Sequence, residues 1–235
     1  KATHQPKYYY FAWANRLITY YLKTSRTNIA LYEVQNMLKE AQKEDDKTGL
    51  SRCYNIMSQI YTIKRFDSMA FEWRLKEIEL TEKYNIENYN ISQTYAQIAN
   101  YYISQKKQKE ALRAVEKAIS TANSSTQQIS AKLEYVNYYS KFGDFQAAEK
   151  ILKECQIAFE QDKRLESIKK RLYNIECLYY QQTRQYQKAL EAAEMQEKEE
   201  HRLSESILSS SHYRTQGEIY QKMGNMNMAV KYLQM

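Results

Sequence analysis

The sequence predicts an all-α chain, a solenoid of about six helical hairpins that repeat about every 40 residues. Three observations predict it. A tyrosine stands nine residues before an alanine six times over: Tyr21 and Ala30, Tyr61 and Ala70, Tyr102 and Ala111, Tyr139 and Ala148, Tyr180 and Ala189, Tyr220 and Ala229. Successive tyrosines are separated by 40, 41, 37, 41 and 40 residues. The chain holds four Gly and a single Pro, Pro6 near its start, so almost nothing interrupts helices. Finally, apolar residues precede each tyrosine at steps of three and four, which return to one face of an α-helix.

The six hairpins span approximately 7–45, 47–86, 88–124, 126–163, 166–203 and 206–235, and together they read as one solenoid over 1–235. In each, the positions seven, four, three and zero residues before and at the tyrosine form the packing face of a first helix. They are Ala14, Leu17, Ile18, Tyr21; Tyr54, Met57, Ser58, Tyr61; Tyr95, Ile98, Ala99, Tyr102; Lys132, Tyr135, Val136, Tyr139; Tyr173, Glu176, Cys177, Tyr180; and Tyr213, Gln216, Gly217, Tyr220. Small members such as Ser58, Ala99 and Gly217 let a second helix come close, while a tyrosine ring fills wider gaps and keeps its hydroxyl near water. The second helix starts near the alanine and continues its face at Val34 and Met37, Val115 and Ala118, Leu152 and Cys155. The second hairpin departs, with Arg74 and Glu77 at those places, and Trp73 or Ile78 is expected to take over the packing. Short polar turns separate the helices: TSRT at 24–27, KFGD at 141–144, TRQ at 183–185 and KMGN at 222–225. Gly143 and Gly224 fall four residues after their tyrosines, where a helix ends and positive φ is wanted.

The best-formed hairpins, VNYYSKFGDFQAAEKIL at 136–152 and GEIYQKMGNMNMAVKYL at 217–233, resemble the tetratricopeptide repeat. Its signature sets a small residue, a tyrosine, a glycine-containing turn, an aromatic and an alanine at these spacings. The resemblance covers nearly all of 7–235, with a period longer than the usual 34 residues. It implies a right-handed superhelix with a concave inner surface. It also implies likeness to the sensor regions of bacterial signalling proteins, in which such repeats precede a membrane helix and a histidine kinase or helix-turn-helix output domain. The stretches EDDKTGLSRCYNIMSQIY at 44–61 and EKYNIENYNISQTYAQIANYY at 82–102 carry that second likeness.

The formal charge is +7, but basic and acidic residues mix in runs such as KEDDK at 43–47 and EKEEHR at 197–202, the pattern of solvated helix faces rather than a nucleic-acid footprint. No apolar run is long enough to span a membrane or to serve as a secretory core. The sequence starts at Lys1 and stops at Met235 inside an expected helix, so it reads as part of a longer chain. No glycine-rich phosphate loop, paired histidines or metal-spaced cysteines occur, so no catalytic residue, metal or cofactor is nominated. His4, His201 and His212 are scattered and read as surface residues. Cys53, Cys155 and Cys177 are odd in number and far apart, and read as small buried residues; a contact between Cys155 and Cys177 is left open.

The informative surface is the other side of the first helices, expected to line the concave groove. It carries Asn15 and Lys23; Arg52, Asn55 and Gln59; Gln93 and Asn100; Asn137 and Lys141; Arg171, Asn174 and Gln182; Arg214, Glu218 and Lys222. Asparagine occurs there in five of six hairpins, and amides can hold an extended peptide by its backbone. The candidate peptide groove is therefore Asn55, Gln59, Asn100, Asn137, Lys141, Arg171, Asn174 and Arg214. By resemblance to repeats that grip peptide termini, Asn137, Lys141, Arg171 and Asn174 come nearest to a carboxylate clamp. The same groups also read simply as polar, solvent-facing helix positions, and the tyrosines beside the anchors in the doublets, Tyr20, Tyr101, Tyr138 and Tyr179, as packing between repeats or as an aromatic stripe for a ligand.

The expected function is a non-catalytic protein- or peptide-binding scaffold serving as the sensory or interaction module of a bacterial signalling protein. A protein or peptide is the expected partner, with a homodimer as a further option, no nucleic acid, and a membrane reached only through segments outside this one. The sensor reading places the module outside the cytoplasm. The alternative, a peptide-responsive regulator, places it inside, a compartment that the free cysteines favour. A helical-repeat nucleic-acid binder, marked by steep salt dependence, is a third reading.

Overall fold

The structure is a computed structural model that describes residues 6–24, 26–203 and 210–234, with side chains over 8–24, 26–199 and 213–234. His4 and the side chains of His201 and His212 lie outside the described residues. The described residues form helices and no strand. In chain order they are α1 (Pro6–Arg16), which runs on into π-helical turns at Leu17–Leu22, then α2 (Thr27–Lys43), α3 (Lys47–Ile63), α4 (Asp67–Tyr84) and α5 (Ile91–Ser104). These are followed by α6 (Gln108–Ser120), α7 (Ser125–Phe142), α8 (Phe145–Gln161), a 3-10 segment (Lys163–Ile168), α9 (Lys169–Gln182), α10 (Tyr186–Leu203), α11 (Ser210–Lys222) and α12 (Met226–Leu233).

The constant nine-residue spacing has a backbone cause. Five residues after each anchor tyrosine, an N–H returns to the tyrosine carbonyl: Arg26 to Tyr21, Phe66 to Tyr61, Lys107 to Tyr102, Asp144 to Tyr139, Gln185 to Tyr180 and Asn225 to Tyr220, all at 2.8–3.0 Å. The carbonyl of that same residue then accepts the N–H of the alanine four residues on, opening the next helix: Ala30, Ala70, Ala111, Ala148, Ala189 and Ala229 all do this. Five plus four gives nine. The residue before the donor must be left-handed to close such a helix end. It is so in every turn where it is described: Arg65 (φ 63°), Lys106 (φ 58°), Gly143 (φ 89°), Arg184 (φ 60°) and Gly224 (φ 78°).

All six alanines are 0–2% exposed. The tyrosine rings pack against the same apolar clusters, Tyr21 and Tyr61 beside Ala30, Tyr139 and Tyr180 beside Ala148, Tyr180 and Tyr220 beside Ala189. None of the predicted first-helix packing positions is exposed. At Gly217 a Cβ would stand 2.6 Å from Leu233 Cγ, so the bare backbone is what lets α12 approach α11. The doublets differ from hairpin to hairpin. Tyr138 and Tyr179 are 5% exposed and more deeply buried than the anchors beside them, whereas Tyr20 is exposed. In the fourth and fifth hairpins both rings of the doublet therefore belong to the packing.

The chain divides into two compact units, Lys1–Tyr101 and Tyr102–Met235. In the first, α1 to α4 enclose a cluster built on Tyr10, Leu17, Val34, Met37, Cys53, Ile56 and Ile60, with Trp13 and Trp73 packed on it. In the second, Leu133, Val136, Leu152, Cys155, Leu172 and Ile175 form one cluster. Leu190, Ala193 and Ile219 anchor another. No helix is long and apolar enough to cross a membrane among the described residues. All three cysteines are free and buried, and burial pushes the thiols of Cys53 and Cys155 up to about 12 and about 11, which suppresses thiolate chemistry near neutrality.

Candidate functional site

The first unit contains a groove of about 440 Å³, of the size that holds small ligands and peptide side chains. One wall comes from α1 and the π-helical turns, through Tyr8, Phe11, Ala14, Asn15 and Ile18. π-Helical turns are frequent at functional sites. The floor comes from α3 and α4, through Ser51, Arg52, Asn55, Ile56 and Glu77, and the second wall from residues 86–90.

That second wall is the connection between α4 and α5. Asn85 in left-handed conformation (φ 47°) ends α4, and Ile86 donates back to the Thr81 carbonyl at 3.0 Å. Asn88 then reaches into the unit and donates through Nδ2 to Glu77 Oε1 at 2.9 Å. The same carboxylate accepts from Asn55 Nδ2 at 3.2 Å on both oxygens, and Gln59 Nε2 donates to Asn55 Oδ1 at 2.6 Å. Glu77 is 2% exposed. Burial raises its pKa to about 7; the amide hydrogen bonds and the Arg74 charge only partly offset this.

Arg74 and Glu77 add to what the sequence led one to expect. Ile78 is buried as foreseen, but the two charged residues keep the core-facing register instead of yielding it. Arg74 is satisfied by Gln97 Oε1 at 2.8 Å and Thr62 Oγ1 at 2.6 Å, while Glu77 is held by the two asparagines. The signal was present in the sequence: charged residues at positions that are apolar in other hairpins mark a polar network, not a register slip.

Arg52 has a different environment. Its guanidinium lies 4.8 Å over the Phe11 ring, and its Nε is buried without a hydrogen-bond partner. Burial lowers its pKa, and among the described residues no acidic partner counters the effect.

The other predicted groove residues are dispersed. Asn100, on α5, is half-buried and has a polar or electrostatic partner. In the second unit, Asn137 and Lys141 lie on α7, and Arg171 and Asn174 on α9, two helices in contact. Arg171 is committed to Glu134 of α7, which is 1% exposed. Lys141 and Asn174 are exposed. Arg214 pairs with Glu218 along α11 at 2.8 Å and is also exposed. Thus Asn55 and Gln59 are joined in one network, Arg171 is internally neutralised, and Arg214 stands apart in α11. Among the described residues no cluster of His, Cys, Asp and Glu is arranged to hold a metal.

No family model matches the sequence, and no curated protein matches it. Solved structures do. The structure of NprR in complex with its cognate peptide NprX is similar at a TM-score of 0.71 and 13% identity, covering 99% of this chain and 66% of NprR. A tetratricopeptide repeat protein from Parabacteroides merdae is similar at a TM-score of 0.63 and 16% identity, covering 95% and 75% of the two chains. The chain has the tetratricopeptide-repeat fold. A Rap protein complexed with Competence and Sporulation Factor has the same repeat architecture at a TM-score of 0.66 and 14% identity, with 100% of this chain and 75% of Rap covered. The chain thus spans just under two thirds of NprR.

Proposed function

We propose that this tetratricopeptide-repeat chain is a non-catalytic peptide-binding scaffold, and that the groove of the first unit receives the peptide. The observation that carries the reading is a walled groove in which exposed aromatic side chains, Tyr8, Phe11 and Tyr89, stand beside asparagines 15, 55, 88 and 90. Aromatic walls offer contact area at low entropic cost, and amides match a peptide backbone. The complex of NprR with its cognate peptide NprX, a structure of this fold, supports the class of ligand. Asn100, Asn137, Lys141, Asn174 and Arg214 are proposed as secondary contacts, and Asn55 and Gln59 as part of the primary groove.

At a finer level, the module is proposed to act in a bacterial signal-transduction protein, as the peptide-responsive part of a sensor kinase or transcriptional regulator. The test is selection of short peptides from a randomised library, followed by titration with the selected sequences. Phe11→Ala and Tyr89→Ala should each weaken binding about tenfold, as loss of an aromatic anchor does. Tyr32→Ala, an exposed tyrosine outside the groove, should leave it unchanged. Failure to enrich any sequence, or equal loss in all three variants, overturns the proposal.

A further inference from the structure

Arg52 is the unbalanced group of the groove. It sits on α3, nine residues before anchor Tyr61, with its Nε buried and unbonded and its guanidinium charge facing the Phe11 ring. The acid sharing the groove floor does not neutralise it, because both Glu77 oxygens are taken by Asn55 and Asn88. Glu87, on the opposite wall, has interactions of its own. A half-buried guanidinium with an unbonded Nε and no anion beside it among the described residues suits a site whose anion arrives from outside. Beside it, among the polar groups of the groove, Phe11, Ala14, Ile18, Ile56 and Ile86 give an apolar body a face to lie against.

We infer that the groove takes a single carboxylate carried on an apolar body, the carboxylate pairing with Arg52 and the body lying against Phe11, Ile18 and Tyr89. A planar guanidinium fork matches a carboxylate in two parallel hydrogen bonds. A second negative charge is not favoured, because Arg52 is the single basic residue of the described lining. The inference rests on the proposed peptide-binding role and narrows it: the peptide would enter by its C-terminus, with an apolar last side chain. A free apolar carboxylic acid presents the same chemistry.

The experiment is calorimetric titration of the whole chain with N-acetyl-leucyl-phenylalanine, its C-terminal amide, 3-phenylpropionate and phenyl phosphate. The free acid should bind about tenfold more tightly than the amide, the worth of a charge-assisted pair. Arg52→Gln should abolish that preference, and Tyr32→Ala, outside the groove, should preserve it. Phenyl phosphate should bind no better than the amide. Equal binding of acid and amide to the native protein overturns the carboxylate inference while the peptide reading stands. Arg52-dependent binding of phenylpropionate without binding of either peptide form keeps the carboxylate and overturns the peptide reading. No binding of any probe at about 1 mM overturns the inference. The acid-against-amide comparison needs only the native protein, so it decides even if Arg52→Gln fails to fold.

Discussion

Arg52 and Arg171 occupy the same place in two hairpins, nine residues before their anchor tyrosines, one in each compact unit. Both carry a buried Nε without a hydrogen bond. Arg171 is nevertheless neutralised by Glu134 from the helix α7 beside it, whereas Arg52 has an aromatic face and a cavity. The difference teaches how one scaffold position serves two ends. Paired across two helices, the arginine fastens them in register; unpaired, it leaves a charge for a ligand to complete.

The largest expected effect breaks this comparison directly. Arg171→Met leaves Glu134 charged, buried and alone, and should destabilise the second unit by about 3–5 kcal/mol. Arg52→Met removes a charge that has no internal partner, and should change the stability of the first unit by less than about 1 kcal/mol, the worth of its contact with Phe11. Hydrogen exchange at α7 and α9 for the former, and tryptophan fluorescence during urea unfolding for the latter, measure the two. Trp13 and Trp73 are the only tryptophans, and both pack in the first unit. Comparable losses in the two variants would remove the distinction.

A second effect sharpens the account of the groove floor. The Glu77 pKa is raised from the ordinary 4.5 to about 7, so between those values the folded state holds a proton that the unfolded state has lost. The stability linked to this group is complete below about pH 4.5 and lost as the pH rises through 7, by about 3 kcal/mol in all. Glu77→Gln should flatten that slope in tryptophan-monitored unfolding. Burial also raises the pKa of Glu176 in the second unit, with the same sign, so the slope to compare is native minus variant. A slope unchanged by Glu77→Gln would mean that the carboxyl is ionised in the fold.

The smallest effect concerns the turns. Five share one left-handed position, filled by glycine in the fourth and sixth hairpins and by Arg65, Lys106 and Arg184 in the others. A side chain there costs about 1 kcal/mol. Arg184→Gly and Lys106→Gly should each raise stability by about that much, and Gly143→Ala should lower it similarly, read as shifts in thermal midpoint. The substitutions touch no groove residue and should leave ligand affinity unchanged.

Much of the fold was legible because it rests on local bonds. The tyrosine-to-alanine spacing sets both the helix end and the next helix start, so Gly143 and Gly224 could be placed at positive φ without coordinates. The candidate site was less legible. Asn55 and Gln59 were found, but as partners of each other and of Glu77 rather than as free amides. Asn88 was passed over because it lies in a connection rather than on a repeating face, and Tyr8 and Phe11 because they precede the first regular packing positions. In the doublets, periodicity selected the anchor tyrosines, while the bulk of neighbouring helices buried Tyr138 and Tyr179 more deeply.

The sequence by itself determined the hairpin and its repetition, since hydrogen bonds between residues four and five apart need only the chain's own geometry and a few small or flexible residues. Tertiary structure alone decided which charges are satisfied. Glu134 meets Arg171 from 37 positions away and Asn55 meets Glu77 from 22 positions away, while among the described residues no acid pairs with Arg52. Electrostatic balance in a low-dielectric interior depends on what is within a few ångströms in space, and repeat spacing carries no record of that distance.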